Sequence, residues 1–378
     1  MTTADSRFDD IRPYRDDEIP AAMQRIVSDP YFPAVAGYVY PGNTVEEVRS
    51  ILLGCRNIYE FQTTVMKQVN EQVIERTTDG LTFGGVERLD PSKRYLFISN
   101  HRDIVLDSCL LMYILHMNGH RIGEITFGSN LMKGQMVIDI GKSNKMFKVE
   151  RGGNPRQMYL NSLHLSDYIR YAITEKKESV WIAQRNGRTK DGIDRTDQGL
   201  IKMLSMSGGR DRVQALADLN IVPVSVSYEW ESCDILKTLE LYASRDGTPY
   251  VKKPGEDLNS ILTGITQPKG RVHIELCEPI SIDDLNAIPS DYVDAQFRHS
   301  VAELMDKRIC GGYRLYPNAY IAHDIRSGSN QYVDRYTQEQ YKAFCTRMAE
   351  LDKFGADPLL KDIFLGIYAN PIIQPKQS

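Results

Sequence analysis

The sequence predicts an α/β protein, a mixed sheet flanked by helices with a helical unit ahead of it. Two observations carry that prediction. After residue 80, apolar runs of strand length alternate with stretches of helical periodicity. Before it, the stretch Thr44–Arg76 places its apolar residues on one helical stripe.

In chain order, Asp17–Ser28 reads as a short helix, broken by Asp29-Pro30 and Phe32-Pro33. Thr44-Val45-Glu46-Glu47 has the capping-box spacing. One long helix should follow, with Val48, Ile51, Leu52, Cys55, Ile58, Phe61, Val65, Val69 and Val73 on its stripe, ending before Asp79-Gly80. Packing on a neighbouring unit or docking on lipid would each use that stripe. Leu81–Leu89 is a strand candidate. Tyr95–Asn100 is a second, followed by a helix over Ile104–Met117. Ile122–Phe127, Met146–Val149, Ser179–Gln184, Ile221–Tyr228 and Arg271–Cys277 continue the strand series. Val137–Ile140 is a short apolar piece, Asn154-Pro155 opens a helix to about Lys176, and Gly199–Met206 is helical. Leu236–Thr266 reads as a polar, loop-like insertion. Ile282–Ile309, Thr337–Asp352 and Pro358–Ile367 read as helical. The division is 1–80, an N-terminal helical unit; 81–310, the α/β domain; and 311–378, a C-terminal helical extension.

The 378 residues, 42% hydrophobic and 25% charged, allow a sizeable core. A net charge of -4 gives no support to bulk nucleic-acid binding, so any anion site must be local. The six cysteines are scattered without a Cys-x-x-Cys pair. That argues against a zinc site or a disulfide framework and for a reducing compartment, and no metal is expected. The N-terminus is too acidic for a signal peptide. No apolar run approaches the ~20 residues that span a bilayer. The expected location is cytoplasmic, with any membrane contact made from the surface.

Chemistry gathers at strand ends. Tyr95–Ile98 stops at Ser99-Asn100-His101, and Asp103 and Asp107 follow. A histidine at the end of a strand, with a carboxylate to orient it, suits a general base. The same residues also fit a plain capping turn in which Asn100 or Asp103 caps the helix and His101 is solvated. The stretch Gly141–Arg156 holds Lys142, Lys145, Lys148, Arg151 and Arg156 against one acid, Glu150. It suits an anion such as phosphate, and equally a solvated edge strand. After the Trp181 strand, Gln184–Gly192 carries Arg185, Arg188 and Lys190 in a Gly-containing loop. Ligands of open α/β sheets bind outside the carboxyl ends of strands, although a charged surface loop is the commoner case. Pro223 within Ile221–Tyr228 cannot donate to a ladder and marks an edge, an end or a bulge.

The order of these stretches resembles the glycerolipid acyltransferase superfamily, which includes glycerol-3-phosphate and 1-acylglycerol-3-phosphate acyltransferases. Its first block is similar to Asn100-His101-Arg102 with Asp107, and its second to Lys145–Arg151. Gly128-Ser129-Asn130-Leu131 is similar to a stretch of the glycerol-3-phosphate branch. The third block is similar to Gln184–Lys190, and the fourth to Val222-Pro223-Val224. The likeness covers about residues 82–280. Three departures stand out, one of them an extra residue between Gln184 and Arg188. Five residues separate His101 from Asp107, where the family has four, and Gln184 replaces the family's Glu.

The resemblance implies a glycerol-3-phosphate-acyltransferase-like fold over 81–310. It implies transfer of an acyl group from acyl-CoA or acyl-carrier protein to a hydroxyl of a phosphorylated glycerol or lysophospholipid. No cofactor is implied beyond that thioester co-substrate, and the enzyme would sit peripherally on the inner face of a membrane. His101 would be the base and Asp107 its partner, with Asp103 as the rival. Arg151, Arg188, Lys190 and Asn130 would bind substrate, and Asn100, Gln184 and Pro223 would support the site. Two other readings of the same fold are a non-catalytic lipid- or acyl-binding protein, motivated by Gln184, and an acyl hydrolase.

Overall fold

The structure, a computed structural model, describes residues 6–374. Seven strands form one sheet in the order β1-β7-β6-β2-β5-β3-β4. They are β1 (Thr78–Gly84), β2 (Leu96–Ser99), β3 (Glu124–Gly128), β4 (Met146–Val149), β5 (Val180–Ala183), β6 (Ile221–Tyr228) and β7 (Gly270–Leu276). β6, β2, β5, β3 and β4 run parallel. β7 pairs antiparallel with β6, and β1 pairs parallel with β7. The sheet is therefore mixed, and the loops after β2, β3, β4 and β5 leave from one rim.

Period-two alternation splits the strand side chains between two apolar layers. Phe97, Trp181, Val222 and Val224 pack with the Leu106–Met117 helix on one face. Leu96, Ile98, Val180, Ile182 and Ile221 face the other, where the helices Pro155–Thr174, Gln198–Ser205 and Asp294–Gly311 supply Tyr168, Ile169, Ile201, Leu204, Phe297 and Val301. Each such side chain taken fully out of water contributes about 1.5–3 kcal/mol. The strands flanked on both sides read as continuous apolar runs because both their faces are covered.

The helical stripe ahead of the sheet is present, but the single helix is not. It stops at Gly54, because Cys55 is extended (ψ 122°). Asn57 then caps a new turn by accepting from the Glu60 N–H at 2.9 Å. A π-helical stretch, Phe61–Met66, leads into the helix Lys67–Thr77. Val48, Leu52, Cys55, Phe61 and Val65 are buried in a cluster with the helices Ile19–Ser28 and Phe32–Val39, and Met136 and Ile140 pack against it. The stripe is used for packing.

Leu236–Thr266 is not a loop. It contributes most of the helix Asp234–Ala243 and all of Glu256–Thr266. Val137–Ile140 lies within the helix Gln135–Ser143. Pro223 belongs to β6, which is flanked by β2 and β7 and is not an edge strand. The proline is tolerated because it lies just past the end of the β6–β7 pairing, which stops at Val224↔Leu276. Its carbonyl still accepts from the Cys277 N–H at 2.9 Å.

The last helices, Pro317–Ser327, Gln338–Ala349 and Pro358–Ile373, bury Ile321, Phe344, Phe364 and Ile367 with Ile235. The loop after β5 meets this unit at Gly192. Its φ is +77°, and an added Cβ would come within 2.3 Å of the Ile367 carbonyl oxygen. Left-handed backbone costs a non-glycine residue about 1–2 kcal/mol, and the backbone clash adds to it. Gly192→Ala should lower stability by about 2 kcal/mol or more in a denaturant melt. An unchanged midpoint would show that this loop is free to move off the Pro358–Ile373 helix.

Candidate active site

His101 leaves the end of β2 in an irregular turn, and Asp107 lies in the first turn of the helix that follows. The turn folds over the Asp107 carboxylate. Oδ2 accepts from His101 Nδ1 at 2.8 Å and from the N–H groups of Arg102 (2.6 Å) and Asp103 (2.9 Å). Oδ1 accepts from the Tyr228 hydroxyl at 2.8 Å, so β6 braces the same group. Burial, then the neighbouring Asp107, pushes the Tyr228 phenol well above its ordinary pKa, which keeps it a donor. Asp103 points elsewhere. Its Oδ1 accepts from the N–H groups of Val105 and Leu106 at 2.9 Å each, starting the helix, and its Oδ2 accepts from Ser232. The extra residue between His101 and Asp107 is absorbed in the turn.

With Nδ1 donating to a carboxylate, the proton sits on Nδ1, and Nε2 carries the free lone pair. The His101 side chain is 12% exposed and the Asp107 side chain 0%. Trp181 lies edge-on to the imidazole, with centroids 5.5 Å apart. His101 lines a cavity of about 280 Å³. Ile104, Phe127, Leu131, Leu165, Leu200 and Met203 supply its apolar wall, and Arg151 and Arg185 its cations.

Behind the turn lies a buried charge network. The Arg102 guanidinium donates to Asp194 at 2.5 Å and sits 3.5 Å from Glu231. Lys237 pairs with Glu231 at 2.5 Å and donates to the Arg102 carbonyl at 2.7 Å. Asp194 also accepts from Asn100 Nδ2 (3.0 Å), Tyr313 (2.6 Å) and Thr189 (2.5 Å). Asn100 is fully buried and clamps β6 through both the N–H and the C=O of Val226.

Residues 80–227 match the Acyltransferase family model. The chain carries an acyltransferase domain. Among solved structures, the 1-acyl-sn-glycerophosphate (LPA) acyltransferase PlsC from Thermotoga maritima is similar at 13% identity, over 76% of this chain and 91% of that one. Its TM-score is 0.39. No curated protein sequence matches the chain.

The acyltransferase domain brings His101, Asp107 and Arg151 together. The basic stretch around Arg151 otherwise disperses. Lys145 pairs with Glu178, Lys148 pairs with Glu150, and Lys142 lies over the Tyr14 ring. The Lys190 ammonium pairs with Glu240 on the Asp234–Ala243 helix, away from His101. Arg188 lines a neighbouring cavity of about 410 Å³ with Lys252, Lys253 and Glu256. Asn130 donates to Asp257 at 3.2 Å. Gln184 is fully buried and does not line the His101 cavity, so its exchange for the family's Glu leaves the cavity wall unaltered. Pro223 does not reach the cavity either. The sequence pattern did not assign Arg185, Trp181 or Tyr228. Arg185 stood in the basic loop and Tyr228 at the end of a strand, but nothing in the spacing singled them out.

Removing one member of a buried ion pair costs about 3–5 kcal/mol. Asp194→Asn should therefore cost about 3 kcal/mol at neutral pH. Burial alone would raise the Asp194 carboxyl. Arg102, Thr189, Tyr313 and Asn100 outweigh it and hold the group below its usual range. A depressed folded pKa gives stability that is present above the unfolded value of ~3.9 and lost as pH falls through the folded value. The gap between wild type and Asp194→Asn should narrow as urea melts are taken from neutral pH to below ~3.9. A gap that does not change with pH would remove Asp194 from the charge balance.

Proposed function

We propose that this chain transfers an acyl group from a thioester, acyl-CoA or acyl-carrier protein, to a hydroxyl of glycerol 3-phosphate or 1-acylglycerol 3-phosphate. One observation carries the reading. Inside the stretch that matches the Acyltransferase model, an oriented histidine opens onto a cavity that is apolar on one side and holds two arginines. An acyl chain and a phosphate need those two surfaces together.

In this reading the acceptor hydroxyl is the nucleophile. Its oxygen attacks the thioester carbonyl carbon while His101 Nε2 takes its proton. Asp107 stabilises the imidazolium, as the carboxylate does in a catalytic triad. The C–S bond then breaks and the thiolate leaves, taking the proton back from His101. No acyl-enzyme, metal or further cofactor is needed. Arg151 and Arg185 hold the phosphate. The product is a lipid, so we place the enzyme at a membrane surface. Met158, Tyr159 and Leu160, exposed at the start of the Pro155–Thr174 helix beside the cavity, supply apolar contact there. No helix among the described residues is long and apolar enough to cross a membrane.

Thioester consumption, with mass spectrometry of products over a panel of phosphorylated glycerols, lysophospholipids and water alone, tests the reaction. A positioned base contributes about 10²–10⁴-fold, so His101→Ala should lose at least that much in kcat while melting like the wild type. Turnover near the wild-type rate would sink the base assignment, and free fatty acid formed without an acceptor would make the enzyme a hydrolase. Arg151→Ala should raise KM for the phosphorylated acceptor about ten-fold with little change in kcat, the scale of one charge-assisted hydrogen bond. An unchanged KM would take Arg151 out of the phosphate site.

A further inference from the structure

A carboxylate already lies close to Arg151, one of the two arginines on the His101 cavity. Asp257 stands in the first turn of the Glu256–Thr266 helix. Its Oδ2 accepts from Asn130 Nδ2 at 3.2 Å, and its Oδ1 from Lys252 Nζ at 2.6 Å. Asn130 in turn borders Arg151. A Cβ built on Gly128 would lie 2.7 Å from Asn130 Oδ1 and 2.8 Å from Arg151 Nε, so the two side chains meet over that glycine. Arg188, which lines the same cavity as Lys252, has its Nη1 buried without a hydrogen-bond partner. Burial alone would raise the Asp257 carboxyl; the Lys252 ammonium, the Asn130 amide and the field of Arg188 outweigh it and hold the group ionised below its usual range.

We propose that Asp257 is an internal anion that occupies the acceptor's phosphate clamp and selects what displaces it. The proposal rests on the acyltransferase reading of the site and names the residue that sets acceptor class. The selection follows from charge and oxygen count. A phosphate monoester carries about -1.5 to -2 charge and three strong acceptor oxygens. It can take over the donors that Asp257 leaves on Asn130 and Lys252 and still reach Arg151, one of the two arginines placed on the phosphate. A phosphodiester brings one charge and two free oxygens, no more than the carboxylate it would replace. The clamp therefore admits monoesters, such as a glycerol phosphate with or without one acyl chain. It rejects lysophospholipids whose phosphate bears a headgroup. Lys190, spent on Glu240, takes no part.

Calorimetric titration of the full chain with inorganic phosphate and with dimethyl phosphate tests this without any turnover. In the wild type, phosphate should bind and dimethyl phosphate should not. Asp257→Asn keeps the size and hydrogen-bonding capacity of the side chain and removes its charge. It should tighten phosphate about ten-fold and bring in measurable dimethyl phosphate binding, the scale of one repulsive charge removed a few ångströms away. Unchanged or weaker phosphate binding in Asp257→Asn would overturn the proposal, as would dimethyl phosphate binding to the wild type as tightly as phosphate. Arg151→Ala separates the two levels. If it abolishes phosphate binding while Asp257→Asn has no effect, the clamp stands and the internal anion falls. If it leaves phosphate binding intact, the clamp itself is wrong.

Discussion

The Asp107 carboxylate is the group on which the site depends. It collects a side chain from the turn after β2, two backbone N–H groups of that turn and a hydroxyl from β6. Each donor comes from a differently constrained piece of chain. A histidine held by one hydrogen bond could rotate about its side-chain bonds. Here the acceptor is itself fixed by three other donors, so the imidazole is held by its Nδ1 side against a rigid partner at the edge of the cavity it lines. Those charge-assisted bonds also supply the partners that a buried carboxylate needs.

The next layer explains why the turn holds its shape. Arg102 follows His101 and points the opposite way, into Asp194 and Glu231. Asp194 belongs to the loop after β5 and is reached by Tyr313 from the C-terminal part of the chain. Glu231 is tied through Lys237 back to the Arg102 carbonyl. A buried charge that finds no partner costs several kcal/mol, so the strand-end loops and the C-terminal helices are set in register by the need to satisfy these ions. The Pro358–Ile373 helix adds Tyr368, whose hydroxyl accepts from the Glu231 N–H at 3.1 Å, so the C-terminal part of the chain helps to hold the His101 turn although none of its residues lines the cavity.

Much of the sheet was legible because its strands are covered on both faces and read as apolar runs, with polar breaks at their ends. His101 and Asp107 stood out for the same reason, as polar residues at the point where a strand pattern gives way to a helical one. Periodicity could not settle the choice between Asp103 and Asp107. That depended on which carboxylate the backbone of the turn folds around. Leu236–Thr266 misled because its two helices are short and the link between them is rich in Gly, Pro and Lys. Thr44–Arg76 misled in the opposite direction: Cys55 and Asn57 break the helix without a proline or a run of polar residues. In the loop after β5, the family resemblance carried the substrate role to Arg188 and Lys190 and passed over Arg185. The loop curls at Gly187, whose φ is +79°, and leaves Arg185 on the cavity, Arg188 beside it and Lys190 on Glu240.

The two halves of the site differ in how firmly they are built, and the difference follows from their elements. His101, Asp107 and Tyr228 are anchored on neighbouring strands and one helix start, with nearly every polar atom paired inside the protein. Arg151 is exposed, and Lys252 sits in the exposed connection ahead of Glu256–Thr266. Proton transfer needs a fixed geometry at the scale of a hydrogen bond, whereas an anion is captured by charge over a wider range. A chain of net charge -4 can hold an anion only where cations are gathered locally and their field is answered when the substrate is away. Asp257 supplies that answer, because it is the counter-charge paired with Lys252 and felt by Arg151 and Arg188. The internal carboxylate therefore has a structural reason to be there before any selectivity is considered. The selectivity follows from its having to be displaced.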